Sequence, residues 1–366
     1  MAQVIIFAPA YDIHASAAAW SLRRGGVEAQ VSASLRLAPA SRFAVLAGAG
    51  GLQAWASDFR PAEVSAVWYR RPSRPGVSDQ AAVDRPFSAQ QWTLFQKNFL
   101  AVAHSTVPAL WVNEPAASVA AESKLLQLRV AAEVGLDFPE ALVTNDAGQV
   151  AQLIQRWGRV VFKTFQGHAW EDRSAQRYYN TDVSVLDAAS ELPETAIAFC
   201  PGIFQRYIDK QCDIRITAIG ERLFCARIER KSGGAYLDWR PAILDEDMSV
   251  RPFSLPPTVE ARLRELMRRL GIVFGCIDLV MDGAGRLFFL EVNQQGQFLF
   301  IEKMLPELPL LQAASAMLAS GRADYALDGR FGAGFEDYLG SADYQQALAA
   351  PIDEAPPTTI ETAATV

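Results

Sequence analysis

Cysteine is scarce in this chain: four in 366 residues, with no C-x-x-C pair among them. That excludes a disulfide framework and gives no cysteine pair for a metal. Cys200, Cys212, Cys225 and Cys276 are expected to be reduced and buried. No uncharged apolar run approaches membrane-spanning length. The N-terminus, MAQVIIFAPAYD, lacks a basic segment before its apolar run and reaches Asp12 quickly, unlike a signal peptide. These absences predict a cytoplasmic protein with no membrane partner. An excess of positive charge is also missing. Lys and Arg number 34 against 41 Asp and Glu, for a formal charge of −7. After Arg330 there is no base, only the acids Glu336, Asp337, Asp343, Asp353, Glu354 and Glu361, so the body is nearly balanced. No basic field for nucleic acid results. The loop APAYDIH after the first apolar run lacks G-x-G-x-x-G, which argues against a nicotinamide oxidoreductase. No internal repeat is present.

What is there is ordinary globular composition, 50% hydrophobic and 20% charged, with length for two or three domains. QVIIFA, ASAAAWSLRRGG and VEAQVSA read as strand, helix and strand, a β-α-β opening that suggests a parallel sheet. VSAVWYRRP is a strand ended by Pro72, and SAQQWTLFQKNFLAVAHS a helix capped by Ser88. ALWVNEP is a short strand stopped by Pro115, with a domain boundary near 118. The stretch 119–205 reads as a small α+β unit. It holds a helix ending at Gly135, the strand EALVTN, a helix opened by Asp146, two strands around the polar loop holding His168, and a strand in IAFCPGIFQRYID. The segment 206–325 is strand-rich: a hairpin turning at Gly220-Glu221, an amphipathic helix TVEARLRELMRRLG, a second hairpin and a closing helix. An acidic tail, 326–366, is expected to be partly disordered. The fold class is α/β, in the α+β sense.

The second hairpin, IVFGCIDLVMDGAGRLFFLEVN, carries oxygen donors where a core strand needs none. A two-residue turn at Gly283-Ala284 would set Asp278 opposite Phe289. Period-two alternation then puts Asp278, Phe289, Glu291 and Asn293 on one face, with Leu290 and Val292 on the other. Two carboxylates and an amide oxygen are the hard ligands Mg²⁺ takes when it also holds phosphates. A turn one residue longer would reverse Asp278.

The hairpin and EVN resemble the metal-binding end of the ATP-grasp ligases. Other parts follow in that family's order. Lys124 opens a helix and Lys163 sits in VVFKTF, similar to the two lysines that bracket ATP. IFQRYIDKQCDIRITAIG resembles the hinge strand of the adenine site, which implies that Gln205, Tyr207 and Ile208 border the base. Arg206 stands where many relatives have an acid, so Asp209 is taken as the ribose partner. VWYRRP, DIRITAIG, ARI, DWR and EVN..GQF together resemble the branch that cyclises microviridin-type ribosomal peptides, the graspetide maturases. That branch places Pro-Asn-Gly-Gln-Trp after EVN. Here the residues are Gln294, Gln295, Gly296, Gln297 and Phe298, and the glutamines are read as facing substrate.

The resemblance implies a three-subdomain ATP-grasp fold with an N-terminal Rossmann-like pre-ATP-grasp domain (1–118), a lid (119–205) and a catalytic subdomain (206–325). It implies ATP and two Mg²⁺ ions as cofactors, with Asp278, Glu291 and Asn293 on metal and Lys124 and Lys163 on the phosphates. Arg215 and Arg227 are assigned to the γ-phosphate and acyl phosphate, since arginine can grip phosphate with parallel hydrogen bonds. Asp238 and Arg240 would line the acceptor side, and Arg70 and Arg71 would meet acidic substrate or steady a domain interface. The implied partner is a ribosomally made precursor peptide, a leader plus an acidic core, in which ester or amide crosslinks form. A homodimer is left open. The alternatives are a ligase that joins amino acids or modifies a peptide terminus, in the manner of a glutamate ligase, and a non-catalytic ATP-binding protein.

Overall fold

The computed structural model describes residues 3–349 except 10, 35–41, 57–62, 73–82, 166–168, 173–176, 181–182, 235, 241–242 and 244–245. The chain opens with β1 (Gln3–Phe7), α1 (Ile13–Arg24), β2 (Glu28–Ser32), β3 (Phe43–Gly48), β4 (Gly51–Ala56), β5 (Val64–Tyr69), α2 (Arg85–Ala101), α3 (Ala103–Thr106) and β6 (Leu110–Val112). Strands β2, β1, β5 and β6 pair in that order, all parallel, as the β-α-β opening suggests. β3 and β4 form a separate antiparallel hairpin. Every residue of β1 is buried, as expected of a parallel strand covered on both faces. Helix α1 starts at Asp12, whose carboxylate accepts from the backbone N–H groups of His14 and Ala15 at 3.0 Å each. Such a cap satisfies donors that have no partner inside the helix. Ser88 does not cap α2. The helix already begins at Arg85 with a proline in its first turn, where proline's fixed φ suits it.

The expected boundary near 118 falls inside α4 (Pro115–Ala121). Next comes α5 (Lys124–Glu133), capped by Ser123. The middle of the chain adds β7 (Ala141–Thr144), α6 (Ala147–Trp157), β8 (Val160–Lys163), β9 (Ala169–Asp172), β10 (Arg177–Asn180), β11 (Ser184–Leu186), α7 (Glu194–Phe199) and β12 (Gly202–Arg206). β11, β8, β12 and β7 make an antiparallel sheet. The two strands expected around the polar loop are three, because β9 and β10 form their own hairpin. His168 lies outside the described residues.

The last part holds β13 (Lys210–Ile219), β14 (Arg222–Arg230), β15 (Met248–Pro252), α8 (Pro257–Leu270), β16 (Phe274–Asp282), β17 (Leu287–Asn293), α9 (Leu299–Met304), α10 (Leu310–Ser320), α11 (Phe335–Leu339) and α12 (Ala342–Ala349). Its sheet runs β15-β14-β13-β16-β17, and β13 turns into β14 at Gly220-Glu221 as expected. One face packs on α5 and α8 through Val130, Ala131, Leu263 and Leu266. Helix α5 therefore shares the core of this sheet rather than that of the middle unit. The start of the acidic tail is packed: Phe331, Phe335 and Tyr338 are buried, and Tyr338 meets Trp20 at 5.5 Å. Aromatic burial holds that stretch despite its weak periodicity; residues 350–366 lie outside the description. One expectation fails here: Cys200 is exposed, whereas the other three cysteines are buried as expected.

Side-chain amides stitch these units together. Asn113, after β6, donates to the carbonyls of Phe274 (2.8 Å) and Gln294 (3.2 Å) and accepts from the N–H groups of Val273 and Phe274 at 2.8 Å each. Gln127 of α5 bonds Val292 in both directions, donating at 2.8 Å and accepting at 3.0 Å. It covers the open edge of β17 as another strand would. Asn113→Ala strands several buried backbone groups. Its urea midpoint should fall by the equivalent of about 2–4 kcal/mol with little change in slope; an unchanged midpoint would show that water replaces the amide.

Candidate active site

The turn between β16 and β17 is one residue longer than expected. Asp282 N–H bonds Arg286 O at 3.0 Å, and Gly285 takes φ 78° within the loop. Three-residue hairpin loops commonly place a left-handed glycine there. On this count Asp278 would oppose Leu290, away from the other oxygens. The strand corrects itself: Leu279 pairs with Phe289, the register shifts, and Asp278 pairs with Glu291. Leu290 is the extra residue of a β-bulge. Asp278, Glu291 and Asn293 therefore share a face, as expected. Phe289 does not join them; it is buried in the opposite core with Leu279 and Val292. Leu290 borders the cleft instead of the core.

Arg215 of β13 stands directly across from Asp278. Its Nη1 donates to both Asp278 oxygens at 2.9 Å, and its Nη2 to Gln297 O at 2.8 Å. Lys124 Nζ contacts Glu291 Oε2, and Arg240 Nη2 lies 3.9 Å from Glu291 Oε1. On the middle sheet, Lys163 pairs with Ile203 and Val161 with Gln205, so Lys163, Val161 and Gln205 share one face. The other face, with Val160 and Phe204, packs on α6.

These two faces meet across a cleft, the concave setting usual for small-molecule sites. Gln205, Tyr207 and Ile208 line it together with Lys163, Asp278, Glu291, Asp238 and Arg240. Burial lowers the Lys163 pKa, an effect that neighbouring Glu291 opposes. Burial alone would raise Glu291, but the Lys124 ammonium, with Arg240 and Lys163, holds it down to about 2. Burial disfavours the Arg215 charge, yet Asp278 more than compensates and its pKa rises. Two carboxylates and an amide oxygen at neighbouring positions of one hairpin fit a hard divalent cation. Among the described residues no group of three or more His, Cys, Asp or Glu gathers as a metal site, so the amide of Asn293 is needed to complete the set. Its Oδ1 now accepts from Gln295 N–H at 3.0 Å.

Several assignments change. Arg227 lies across from Ile214, whose side chain is in the opposite core, while Arg215 lies across from Ala226. Arg227 thus points away from Asp278, and it pairs with Glu229 at 2.6 Å. Period-two alternation puts neighbouring strands' odd and even positions in register, and only the pairing shows which positions match. Asp209 is exposed and outside the cleft. Asp213 lines it instead, paired with Lys210 at 2.7 Å. Asp213 was legible in DIR, since it alternates onto the face of Arg215. Asp238 and Arg240 pair locally at 3.2 Å. Gln294 does not face substrate: it is buried and donates to Ser118 O (3.2 Å) and Glu122 Oε1 (2.9 Å). Tyr236 and Trp239 also wall the cleft; Trp239 is the central residue of DWR, whereas Tyr236 belongs to none of the quoted motifs.

No protein-family model matches the chain, and no curated protein does either. Solved structures match over most of its length. The macrocyclase MdnC from Microcystis aeruginosa MRC, bound with precursor peptide MdnA, is 25% identical over 87% of this chain and 99% of that one, with a TM-score of 0.69. A Chryseobacterium gregarium RiPP-associated ATP-grasp ligase, in complex with ADP and a leader and core peptide, is 21% identical over 88% and 99%, with a TM-score of 0.73. The ATP-grasp ligase PsnB, with a phosphomimetic variant of its minimal precursor, Mg and ADP, is 18% identical over 88% and 98%, with a TM-score of 0.66. The chain has the fold of the ATP-grasp ligases. Among the described residues no helix is long and apolar enough to cross a membrane.

Because the Glu291 pKa is depressed on folding, its stabilising contribution is complete above about pH 4.5 and is lost as pH falls toward 2. In metal-free buffer, the stability gap between the wild type and Glu291→Gln should narrow as pH drops through that window. A gap independent of pH would mean that Lys124 does not hold the carboxylate ionised.

Proposed function

We propose that this protein is an ATP-dependent carboxylate ligase that acts on a ribosomally made precursor peptide and closes ester or amide crosslinks within its acidic core. One observation carries the reading: Lys163 of the middle sheet and Asp278 and Glu291 of the last sheet line one cleft with Gln205, Tyr207 and Ile208. That set suits a nucleoside triphosphate with its base beside Tyr207 and Ile208. The relatives that bind ADP and precursor peptide support it. In this reading 1–118, 119–205 and 206–325 act as pre-ATP-grasp, lid and catalytic subdomains.

Backbone groups near Tyr207 and Ile208 hold the adenine, and Gln205 packs beside it. Lys163 and Lys124 neutralise the phosphates. The cost of burying Lys163 is offset when triphosphate arrives as its counter-charge. Mg²⁺, two ions in this reading, would sit on Asp278, Glu291 and Asn293 and supply charge neutralisation between the phosphates. Arg215 acts through Asp278, fixing its carboxylate from behind, and Arg227 has no part. Asp238 and Arg240 border the acceptor side. The chemistry is then mostly positioning. A substrate carboxylate oxygen attacks the γ-phosphorus of ATP, the bond to the β-phosphate oxygen breaks, and ADP leaves. A hydroxyl or amine of the same peptide attacks the acyl carbon. The carbon–oxygen bond to phosphate breaks, and phosphate leaves as the nucleophile gives up its proton. Each crosslink removes one water.

Incubation with ATP, Mg²⁺ and an acidic peptide encoded beside the gene should give successive water losses by mass spectrometry, with no added mass. Lys163→Ala should lower turnover by about 10²-fold or more, and Glu291→Gln should abolish it. Addition of an amino-acid mass would replace this reading with the amino-acid ligase.

A further inference from the structure

The backbone of the segment that follows β17 is gripped from several sides. Four consecutive carbonyls, Gln294 to Gln297, accept from side chains on other elements. Asn113 Nδ2 holds Gln294 O at 3.2 Å. Arg70 Nη1 holds Gln295 O at 3.4 Å and Gly296 O at 3.2 Å. Arg215 Nη2 holds Gln297 O at 2.8 Å. Asn113 and Arg70 both project from the carboxyl ends of parallel strands, β6 and β5, the edge where open α/β sheets place their ligands. Gly296 has no room for a side chain: a Cβ there would lie 2.5 Å from that of Cys276.

Arg70 is unusual among these. Its side chain is 0% exposed. Its Nε donates to both oxygens of Asp12 at 2.9 Å, and its guanidinium lies 5.2 Å from the Trp68 ring centroid. Asp12 in turn caps α1. The guanidinium is thus oriented on one side by a carboxylate that is itself fixed by a helix terminus. A buried pair adds little net stability over apolar residues of the same shape, so stability alone is a weak reason for one here. Gln297 remains exposed and Gln295 half-buried, so the gripped backbone presents these two amides outward, just beyond the Asp278–Glu291 end of the cleft.

We infer that Asp12 and Arg70 form a positioning pair that holds the 294–297 backbone in place, so that this segment forms the peptide-facing wall beside the carboxylates. The inference rests on the ligase reading for its substrate, and on geometry alone for the clamp. It separates the two arginines of VWYRRP. Arg70 is spent on the clamp. The Arg71 side chain is half-buried, without an ion pair among the described residues, and stays available to an acidic substrate.

The test uses the full-length protein, Arg70→Lys, and the double variant Asp12→Asn/Arg70→Met. Asparagine can still cap α1, and the double variant removes both buried charges together, which spares it an unpaired one. In Arg70→Lys, hydrogen exchange of amides in 294–299 should accelerate about tenfold, while β1 and α10 exchange as before. The KM for the precursor should rise by about tenfold and the KM for ATP should change by less than about twofold. The double variant should melt like the wild type yet keep the raised precursor KM. Unchanged exchange in 294–299, or a double variant with the wild-type precursor KM, overturns the inference. A wild-type protein that leaves every acidic precursor unmodified would count against the ligase reading, whereas the exchange result would still decide the clamp.

Discussion

One extra residue in β17 sets the chemistry of the cleft. The hairpin turn takes three residues, which by itself would aim Asp278 and Glu291 to opposite faces of the sheet. The bulge at Leu290 returns Glu291 to the face of Asp278 and leaves Phe289 and Val292 in the core. Alternation has a period of two, so a single insertion flips everything beyond it. Two insertions, one in the turn and one in the strand, cancel. The oxygen face and the apolar face of β17 therefore survive together, and the core of α5 and α8 enforces the register by demanding Phe289 and Val292.

That register brings like charges close, and the fold neutralises each of them separately. Asp278 receives Arg215, Glu291 receives Lys124 with Arg240 nearby, and Asp213 receives Lys210. Arg215 and Lys210 come from β13, Lys124 from α5, and Arg240 from the stretch after β14. The buried Arg215 is the least exchangeable of these, because it also holds Gln297 O and lies 5.8 Å from the Trp239 ring centroid. Arg215 thereby ties the loop beyond β17 to Asp278 in the wall of the cleft.

The architecture was largely legible because its signals are local. The β-α-β opening, the cap at Asp146, the turn at Gly220 and the amphipathic α8 each depend on neighbours within a few residues. The candidate site was legible to the extent that it follows alternation along one strand: Lys163 with Val161, Glu291 with Asn293. It failed where two strands must be matched. Arg227 looked equivalent to Arg215 because each sits inside its strand, yet their strands pair so that they point to opposite faces. Asp209 failed because it precedes β13 and is not held by the ladder. How the stretch after 326 packs was not legible, because its partners, Trp20 and Glu302, are distant in the chain.

The sequence by itself determined which chemistry was available: hard oxygen donors on one hairpin, lysines on strand and helix, and no cysteine or glycine motif for another cofactor. Only the tertiary structure decided which of those groups meet. Gln294 to Gln297 read as side chains waiting for a substrate, yet Gln294 is buried, and the groups most tightly engaged in that stretch are its backbone carbonyls. A carbonyl is the same at every position of a chain and carries no signature in the sequence. What distinguishes these four is that Asn113, Arg70 and Arg215 arrive beside them from three separate strands.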